Sequence, residues 1–297
     1  MADLTLTELG VVSAGAHRLS VGALAADDPA APVVIVLPAM GVPASYYRPF
    51  LQELHERGCA VVSVDTRGQG ASTPAAHRGI RFGYQDLIED AAAIVELVER
   101  EFPQAPRFLL GHSLGGQIAM LFAAAHPGRV RGVTLLASGS VWFRSFPGLQ
   151  GWKNLVATQA VAALCTVLGH WPGERFGFGG RQPSGIMQDW ARQGRTGRYR
   201  LGGSRFDYEK ALRELNIPLL TVSVEGDELA PDSSVDHLAA KAVASPRTRR
   251  HYSCEVAGAP KLGHYAWVYN SGVLVDWITD WAATARKEAT ATDGDRR

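Results

Sequence analysis

Short apolar runs rich in β-branched residues alternate along the chain with stretches whose apolar residues recur at helical spacing. Residues 33–37 read VVIVL and contain no polar position, which is typical of a strand buried on both faces of a parallel sheet. Residues 84–101 carry an apolar stripe, from Tyr84 to Val98, that lies on one face of a helix. This alternation predicts an α/β fold with a parallel sheet and right-handed crossovers.

The same two patterns extend over most of the chain. The predicted strands are an opening hairpin at 5–13 and 16–25, followed by 33–37, 60–64, 108–110, 133–136, 218–224 and 249–256. The predicted helices are 44–57, 84–101, 114–125, 151–168, 184–193, 233–243 and 272–286. Most of these elements fit a mostly parallel central sheet with helices on both faces.

The alternation is interrupted between residues 141 and 212. This segment is rich in Trp, Arg and Gly and shows no clear buried strand. We therefore predict a core domain formed by residues 1–140 and 213–297, with 141–212 inserted as a helical cap. Residues 288–297 are polar and are predicted to form a disordered tail.

The composition narrows the possible classes of protein. A formal net charge of +1 argues against a nucleic-acid binder, which normally carries a concentrated basic excess. No apolar run is long enough to span a bilayer, and the N-terminal residues lack the cationic and apolar regions of a signal peptide. Cys59, Cys165 and Cys254 are widely spaced, which favours free thiols over disulfides or a metal cluster. We therefore expect a cytoplasmic protein.

Residues 111–115 read GHSLG, a G-x-S-x-G sequence that joins a predicted strand to a predicted helix. Alone, this pattern is weak, because chance supplies it in roughly a tenth of chains of this length. Its setting between an apolar strand and an apolar helix is the one that a nucleophile elbow requires. The alternative is a helix-capping serine in a glycine-rich turn. We predict that Ser113 is a nucleophile, with the N-terminus of the following helix facing the reacting centre.

The nucleophile needs a base, and the base needs an orienting acid. After an elbow of this kind the acid comes next in the chain and the histidine last. His264 lies in a loop between the last predicted strand and the closing helix, whereas His251 falls within a strand. We therefore predict His264 as the base.

The acid is expected on the loop after the strand predicted at 218–224. Asp227 lies there, preceded by a glycine that permits a turn. It is alternatively only a turn residue, as aspartate often is. Glu225, Glu228 and Asp232 are rival carboxylates in the same stretch. We predict Asp227 as the acid.

A second motif lies at residues 65–72, which read DTRGQGAS. Together with the elbow, this D-x-R-G-x-G-x-S loop resembles the α/β-hydrolase superfamily, over residues 30–285 apart from the insertion. The resemblance extends to the serine-aminopeptidase and monoacylglycerol-lipase-like branch. In relatives the loop is structural, so none of its residues is assigned a chemical role.

The resemblance also implies two backbone donors for an oxyanion. Acyl transfer passes through a tetrahedral oxyanion, and the loss of one preorganised donor raises the barrier by roughly 3–4 kcal/mol. One donor is the N–H of Leu114, which follows the nucleophile. The second comes from the loop after residues 33–37, where relatives commonly show His-Gly and this chain has the sequence PAMG. Aligning Pro-Ala with His-Gly makes Met40 the second donor, and Ala39 is the alternative.

The insertion lies where the superfamily often places a cap over the active site. Its aromatic residues line an apolar acyl pocket or only pack the cap onto the core; they are Trp142, Phe143, Phe146, Trp152, Trp171, Phe176, Phe178 and Trp190. Its arginines have two interpretations: the ordinary one is a solvated face, and the weaker one is attraction of an anionic substrate or leaving group. They are Arg175, Arg181, Arg192, Arg195, Arg198, Arg200 and Arg205.

These residues predict a serine hydrolase that cleaves an ester or related acyl bond of a small molecule with an apolar part. Ser113 attacks the carbonyl, His264 takes and returns the proton, and Asp227 orients the imidazole. No metal or organic cofactor is expected, and a serine nucleophile disfavours the aspartate-based chemistry of dehalogenases and epoxide hydrolases. The alternatives are acyl transfer, carbon–carbon bond hydrolysis, cofactor-free perhydrolase chemistry and a non-catalytic binding protein. The pattern specifies neither the substrate nor the oligomeric state.

Overall fold

A computed structural model describes the backbone of residues 6–14 and 17–294 and the side chains of residues 6–9 and 17–286. Eight of its strands form one sheet, and two form a separate ribbon. In chain order the strands are β1 (Thr7–Ala14), β2 (His17–Leu24), β3 (Val33–Leu37), β4 (Ala60–Val64), β5 (Arg107–His112), β6 (Gly132–Leu136), β7 (His170–Pro172), β8 (Arg181–Pro183), β9 (Leu219–Val224) and β10 (Arg247–Tyr252).

Helices connect these strands. In chain order they are α1 (Arg48–Glu56, after a 3₁₀ turn at Ala44–Tyr47), α2 (Tyr84–Glu101), α3 (Leu114–Ala125), α4 (Gly148–Leu168), α5 (Ser184–Thr196), α6 (Tyr208–Glu214), α7 (Asp232–Ala239), α8 (Cys254–Ala257), α9 (Gly263–Ala266) and α10 (Gly272–Gly294). Within the described residues, no helix is both long enough and apolar enough to cross a membrane.

The main sheet has the strand order β1-β2-β4-β3-β5-β6-β9-β10. The pairs β1–β2 and β2–β4 are antiparallel, and every other pair is parallel. The predicted α/β fold with a mostly parallel sheet is therefore confirmed. In the parallel part the carboxyl ends of the strands meet along one edge, where ligand sites of open α/β sheets form.

The apolar core lies in two layers, one on each face of the sheet. Alternate side chains of β3 enter opposite layers, with Val33, Ile35 and Leu37 in one and Val34 and Val36 in the other. The first layer contains apolar residues of α2 and α3, and the second contains those of α1 and α10. Because both faces are covered, β3, β4, β6 and β9 are buried at every position.

The segment 141–212 lies between β6 and β9 and differs in detail from the prediction. It contains α4, α5 and most of α6, and also a two-stranded antiparallel ribbon of β7 and β8, where no clear strand was predicted. The closing helix also differs, since α10 reaches Gly294 and includes part of the segment 288–297 predicted to be a disordered tail.

Candidate active site

Ser113 lies at the turn between β5 and α3 in a strained backbone conformation, with φ of 55° and ψ of −117°. Two neighbouring glycines make this turn possible. A β-carbon on Gly111 would overlap the backbone of residues 115 and 116, and one on Gly115 would overlap the Leu37 carbonyl oxygen. The Ser113 side chain is partly exposed at the start of α3, as a nucleophile elbow requires.

Asp227 lies on the loop after β9. His264 was predicted in a loop but lies in the short helix α9, which follows β10 and α8. His264 Nδ1 lies 2.8 Å from Asp227 Oδ2, and both side chains are almost fully buried. The other carboxylate oxygen, Oδ1, accepts the N–H groups of Leu229 at 2.9 Å and Ala230 at 2.8 Å. Asp227 is thus both a turn residue, which was the alternative interpretation, and the partner of His264. Two backbone bonds fix the carboxylate, so the histidine ring meets it in one orientation.

The rival residues are engaged elsewhere. Glu225 Oε2 accepts the N–H of Cys254 at 2.7 Å, and Glu228 is exposed. Asp232 pairs with Arg249 at 3.2 Å and lies 3.3 Å from His251, whose Nδ1 also contacts Ser223. Asp227 alone among the four carboxylates therefore contacts His264.

A buried hydrogen-bond chain links this histidine to the elbow. The Tyr47 hydroxyl accepts the N–H of Ala39 at 2.9 Å and lies 2.8 Å from His112 Nδ1. His112 Nε2 lies 2.9 Å from the carbonyl oxygen of His264. A carbonyl only accepts, so His112 Nε2 carries the hydrogen and Nδ1 accepts from the tyrosine. Burial lowers the pKa of His112 well below its ordinary value and keeps the ring neutral.

This chain was not predicted. Tyr47 is wholly buried, and it is separated from His112 by 65 residues. His112 is one of the two variable residues within the elbow motif, and no pattern in the sequence indicated its partner. Tyr47 contacts the backbone of the loop after β3, and His112 contacts the backbone of α9 at His264.

His264 packs beside the elbow. Its ring centroid lies 4.8 Å from that of His112, the residue that precedes Ser113. Among the hydrogen bonds of the described residues, none joins Ser113 Oγ to the His264 ring. The hydroxyl–imidazole contact of a catalytic site is often long in the unliganded protein and tightens with substrate. The structure thus brings the three predicted residues to one edge of the sheet and forms one of their two contacts.

The two predicted oxyanion donors lie on segments that pack together. The first turn of α3 lies against the loop after β3. The two segments are so close that a β-carbon on Gly115 would overlap the backbone at Leu37. The N–H of Ala39 is bonded to Tyr47 and is not available to a substrate. No backbone hydrogen bond within the described residues uses the N–H of Met40 or Leu114. The bonding pattern therefore favours Met40 over Ala39 as the second donor.

The motif at residues 65–72 supports this loop. Asp65 accepts the N–H of Ala44 at 2.7 Å through Oδ1 and that of Ala71 at 2.8 Å through Oδ2. Arg67 forms a buried ion pair with Asp90 on α2. The motif thus binds the segment after the oxyanion loop to the second helix.

The cap contains an apolar cavity of about 220 Å³ between α4, α5 and the core. Two of the predicted cap aromatics that line it, Phe178 and Trp190, have ring centroids 5.6 Å apart. Leu229, which follows the acid on the loop after β9, also lines it. Other aromatics pack elsewhere: Trp171 stacks on Phe176 at 4.8 Å within the cap, and the Trp142 ring lies 4.7 Å from that of His237 on α7 of the core.

Five of the seven predicted cap arginines fall into two groups. Arg181 pairs with Glu174 at 3.2 Å, and Arg192 pairs with the buried Asp189 at 2.7 Å. Others lie around a polar cleft at the end of the cap, namely Arg198, Arg200 and Arg205. The latter group is solvent-exposed.

Known proteins resemble parts of this chain in sequence. A family described as serine aminopeptidase, S33, matches residues 28–170, which contain the elbow but not Asp227 or His264. Monoacylglycerol lipase of Mycolicibacterium smegmatis is 28% identical over 138 residues, covering 46% of this chain and 48% of that protein. Lysophospholipase L2 of Escherichia coli is 32% identical over 108 residues, covering 35% of this chain and 32% of that protein. The matched region thus spans less than half of either relative.

Solved structures agree over nearly the whole chain. The thioesterase domain from the curacin biosynthetic pathway superposes with a TM-score of 0.60 and 15% identity, covering 93% of this chain and 99% of that one. At this identity the likeness concerns the fold. The chain therefore has the α/β-hydrolase fold, and the sequence matches support the α/β-hydrolase superfamily. The sequence matches fall in its serine-aminopeptidase and monoacylglycerol-lipase-like branch, as predicted.

Proposed function

We propose that this protein is a serine hydrolase that cleaves carboxylic esters with an apolar acyl group. The observation that carries the proposal is the buried 2.8 Å contact between His264 Nδ1 and Asp227 Oδ2 beside a strained serine elbow. Lipase-named relatives support ester hydrolysis as the reaction. The free cysteines at 59, 165 and 254 fit the proposed cytoplasmic location.

In the proposed reaction Ser113 Oγ attacks the ester carbonyl while His264 Nε2 takes the hydroxyl proton. Asp227 holds the proton on Nδ1 and stabilises the imidazolium that forms. The negative charge on the carbonyl oxygen is stabilised by the N–H groups of Leu114 and Met40. His264 then gives the proton to the departing alcohol. Water next attacks the acyl-enzyme with His264 as the base, and the acid is released as Ser113 regains its proton.

The acyl chain is proposed to lie in the cap cavity. Its lining is mainly apolar, with Val141, Phe146 and Trp190 among the wall residues. Such a wall favours hydrocarbon over charged groups, because an unpaired charge there loses its hydration. The inferred substrate is therefore an ester with a single flexible apolar chain.

The test is Ser113→Ala on a panel of p-nitrophenyl esters of increasing chain length. The variant should lose turnover and labelling by a fluorophosphonate probe while its melting temperature stays close to that of the wild type. Persistent labelling would identify another nucleophile. If the wild type hydrolyses no ester of the panel, the proposed reaction is wrong and only the fold assignment remains.

A further inference from the structure

A polar cleft lies beside α6, at a surface that the residues of the candidate active site do not line. Its volume is about 500 Å³, which is the size of a small-molecule site. Four exposed arginines are among its lining residues, and we call this surface the arginine cleft; they are Arg198, Arg200, Arg205 and Arg213.

The loop before α6 presents two of these arginines in a regular pattern. Exposed and buried positions alternate along it, so that Arg198 and Arg200 are exposed while Tyr199 and Leu201 are buried in the core. The buried residues anchor the loop to the protein. The two guanidinium groups are thereby left on the side of the loop that meets the solvent.

Hydrogen bonds to two acidic side chains hold the backbone of this loop. Glu209 Oε1 accepts the N–H of Tyr199 at 2.8 Å. Asp189 Oδ1, on a side chain that is almost fully buried, accepts the N–H of Gly202 at 2.8 Å. The backbone is thus fixed on both sides of Arg200, so a ligand of the cleft does not have to order the loop when it binds.

The positive charge of the arginine cleft is not neutralised by the protein. Within the residues that the structure describes, none of its four arginines has an ion pair with an acidic side chain. Two acids line the cleft, and both have other partners: Glu209 pairs with Lys241 at 2.9 Å, and Asp207 caps α6 by accepting the N–H of Lys210 at 3.0 Å. The excess of positive charge on a concave surface favours an anionic ligand.

An aromatic ring lies at the same surface. Phe206 lines the cleft and is 49% exposed. Its ring packs edge-on against that of Tyr208, with centroids 4.8 Å apart. Tyr208 is buried, and its hydroxyl donates to Gln85 at 2.7 Å, so Phe206 rests on a fixed neighbour. A half-exposed ring beside arginines is suited to stacking with a nucleobase.

We propose that the arginine cleft binds a nucleotide that carries two or more phosphate groups. Guanidinium groups bind phosphate oxygens through paired, charge-assisted hydrogen bonds, and Phe206 provides a stacking surface for the base. A single inorganic phosphate would fill only part of the cleft and would leave the ring without a contact. A protein partner normally needs a surface of about 800 Å² on each side, whereas a concave cleft of this volume fits a small molecule.

The test is isothermal titration calorimetry of the full-length protein with ATP in magnesium-free buffer. Tripolyphosphate, which has a phosphate chain of the same length without the base, is the second probe. The cleft variant is Arg198→Gln with Arg200→Gln. Its matched control is Arg131→Gln with Arg247→Gln, at two exposed arginines outside the cleft. Melting temperatures close to that of the wild type show that the variants are folded.

We expect the wild type, the control and the Ser113→Ala protein to bind ATP with the same Kd, because the cleft does not depend on hydrolysis. The cleft variant should bind ATP at least about tenfold more weakly, because two charge-assisted contacts are lost. Phe206→Leu should weaken the binding of ATP and leave that of tripolyphosphate unchanged.

Absence of saturable ATP binding by the wild type, or equal losses in the cleft variant and its control, would overturn the inference. Equal affinities for ATP and tripolyphosphate that Phe206→Leu does not change would overturn the nucleotide assignment in favour of an inorganic polyphosphate. Tighter binding of polyglutamate than of ATP would overturn it in favour of an acidic protein. Loss of esterase activity with ATP binding intact would leave this inference standing and remove the proposed function.

Discussion

At the scale of single residues, contacts at both of its oxygens hold the carboxylate of Asp227 in place. One oxygen accepts two backbone N–H groups from Leu229 and Ala230, and the other faces His264. The backbone bonds prevent the carboxylate from rotating away from the ring. The imidazole is thereby held with its Nδ1 hydrogen toward the acid and its Nε2 lone pair free for the serine hydroxyl.

Replacing Asp227 with asparagine tests this arrangement. The amide can present a donor to Nδ1 and favour the wrong imidazole tautomer, so kcat should fall by about 10³–10⁴-fold, while KM changes little. Steady-state kinetics on the p-nitrophenyl ester with the highest turnover would measure both constants. Glu225→Gln is the matched control, because this exposed rival keeps an acceptor for the Cys254 N–H and should leave kcat near the wild-type value. Equal losses in the two variants would contradict the assignment of the acid.

Tyr47→Phe tests the buried hydrogen-bond chain. The change removes one hydroxyl and leaves the Ala39 N–H and His112 Nδ1 without partners in a buried site. Each unpaired group should lower the free energy of unfolding by about 1–3 kcal/mol. We expect a lower melting temperature and a fall in kcat that exceeds any change in KM, because two catalytic loops lose a shared contact.

Tyr84→Phe serves as the control for this change. Tyr84 is equally buried and its hydroxyl donates to Gln117 at 3.3 Å, away from the hydrogen-bond chain at His112. The control should lose stability without a selective loss of kcat. If both variants lose kcat in proportion to their loss of stability, Tyr47 has only a structural role.

His112 also predicts a pH dependence of stability. The pKa of a solvated imidazole is about 6.5, and burial lowers that of His112 well below this value. As the pH falls below 6.5, the unfolded chain binds a proton that the folded chain does not, so stability is lost on the acid side. The contribution of one such residue is at most about 1.4 kcal/mol per pH unit.

Urea unfolding of the wild type and His112→Gln at several pH values isolates this contribution, since other buried histidines contribute equally to both proteins. The difference in free energy of unfolding between the two proteins should shrink as the pH falls from about 6.5 to 5. Parallel pH profiles would show that His112 is not held neutral by the fold.

The motif, its setting and the chain order predict Ser113, Asp227 and His264 as a triad, and the structure places Asp227 and His264 in contact. Tyr47 could not be predicted, because its role depends on a contact with His112 that only the folded sheet creates. The same contact explains why the sequence left two candidates for the second oxyanion donor. Nothing in the loop sequence shows that the Ala39 N–H is already bonded to a tyrosine on a later segment.

At the scale of elements, the packing of α3 against the loop after β3 places both proposed oxyanion donors. Gly115→Ala should push them apart, since its β-carbon would overlap the Leu37 carbonyl oxygen. We expect kcat/KM to fall by about 10²–10³-fold, the usual effect of one lost donor, and stability to fall by about 1–3 kcal/mol. Gly202→Ala is the control, because its nearest neighbour would be at an ordinary 3.4 Å. An active Gly115→Ala enzyme would show that the donors lie elsewhere.

The elements of the core were predicted more closely than those of the cap. The bounds of β3, β4, α2 and α3 match the predicted ones. Strands buried on both faces leave short, mainly apolar runs, and a helix of the core carries apolar residues at helical spacing. The strands β7 and β8 have three residues each, which is too short to show a period of two. The helix α6 was also missed, although Asp207 caps it by accepting the N–H of Lys210.

At the scale of the whole molecule, hydrogen bonds of polar side chains join the cap to the core. Buried Asp189 on α5 accepts the N–H of Tyr84 at the start of α2. Gln193 bonds Val141 and Ser140, where the chain leaves the core. The break in the strand–helix alternation is the basis of the predicted bounds 141–212. The cavity depends on how α4 and α5 pack, which periodicity does not specify.

The cavity predicts how chain-length preference responds to volume. Val161 lines it from α4, so Val161→Phe should occupy part of the space proposed for the acyl chain. We expect kcat/KM for long-chain p-nitrophenyl esters to fall by about tenfold, with little change for the acetate ester. A tenfold fall corresponds to the free energy of burying one or two methylene groups. Val167→Phe introduces the same side chain on the exposed side of the same helix and should leave the preference unchanged. A uniform loss over all chain lengths would show that Val161 acts through cap stability, and an unchanged preference would place the acyl chain outside this cavity.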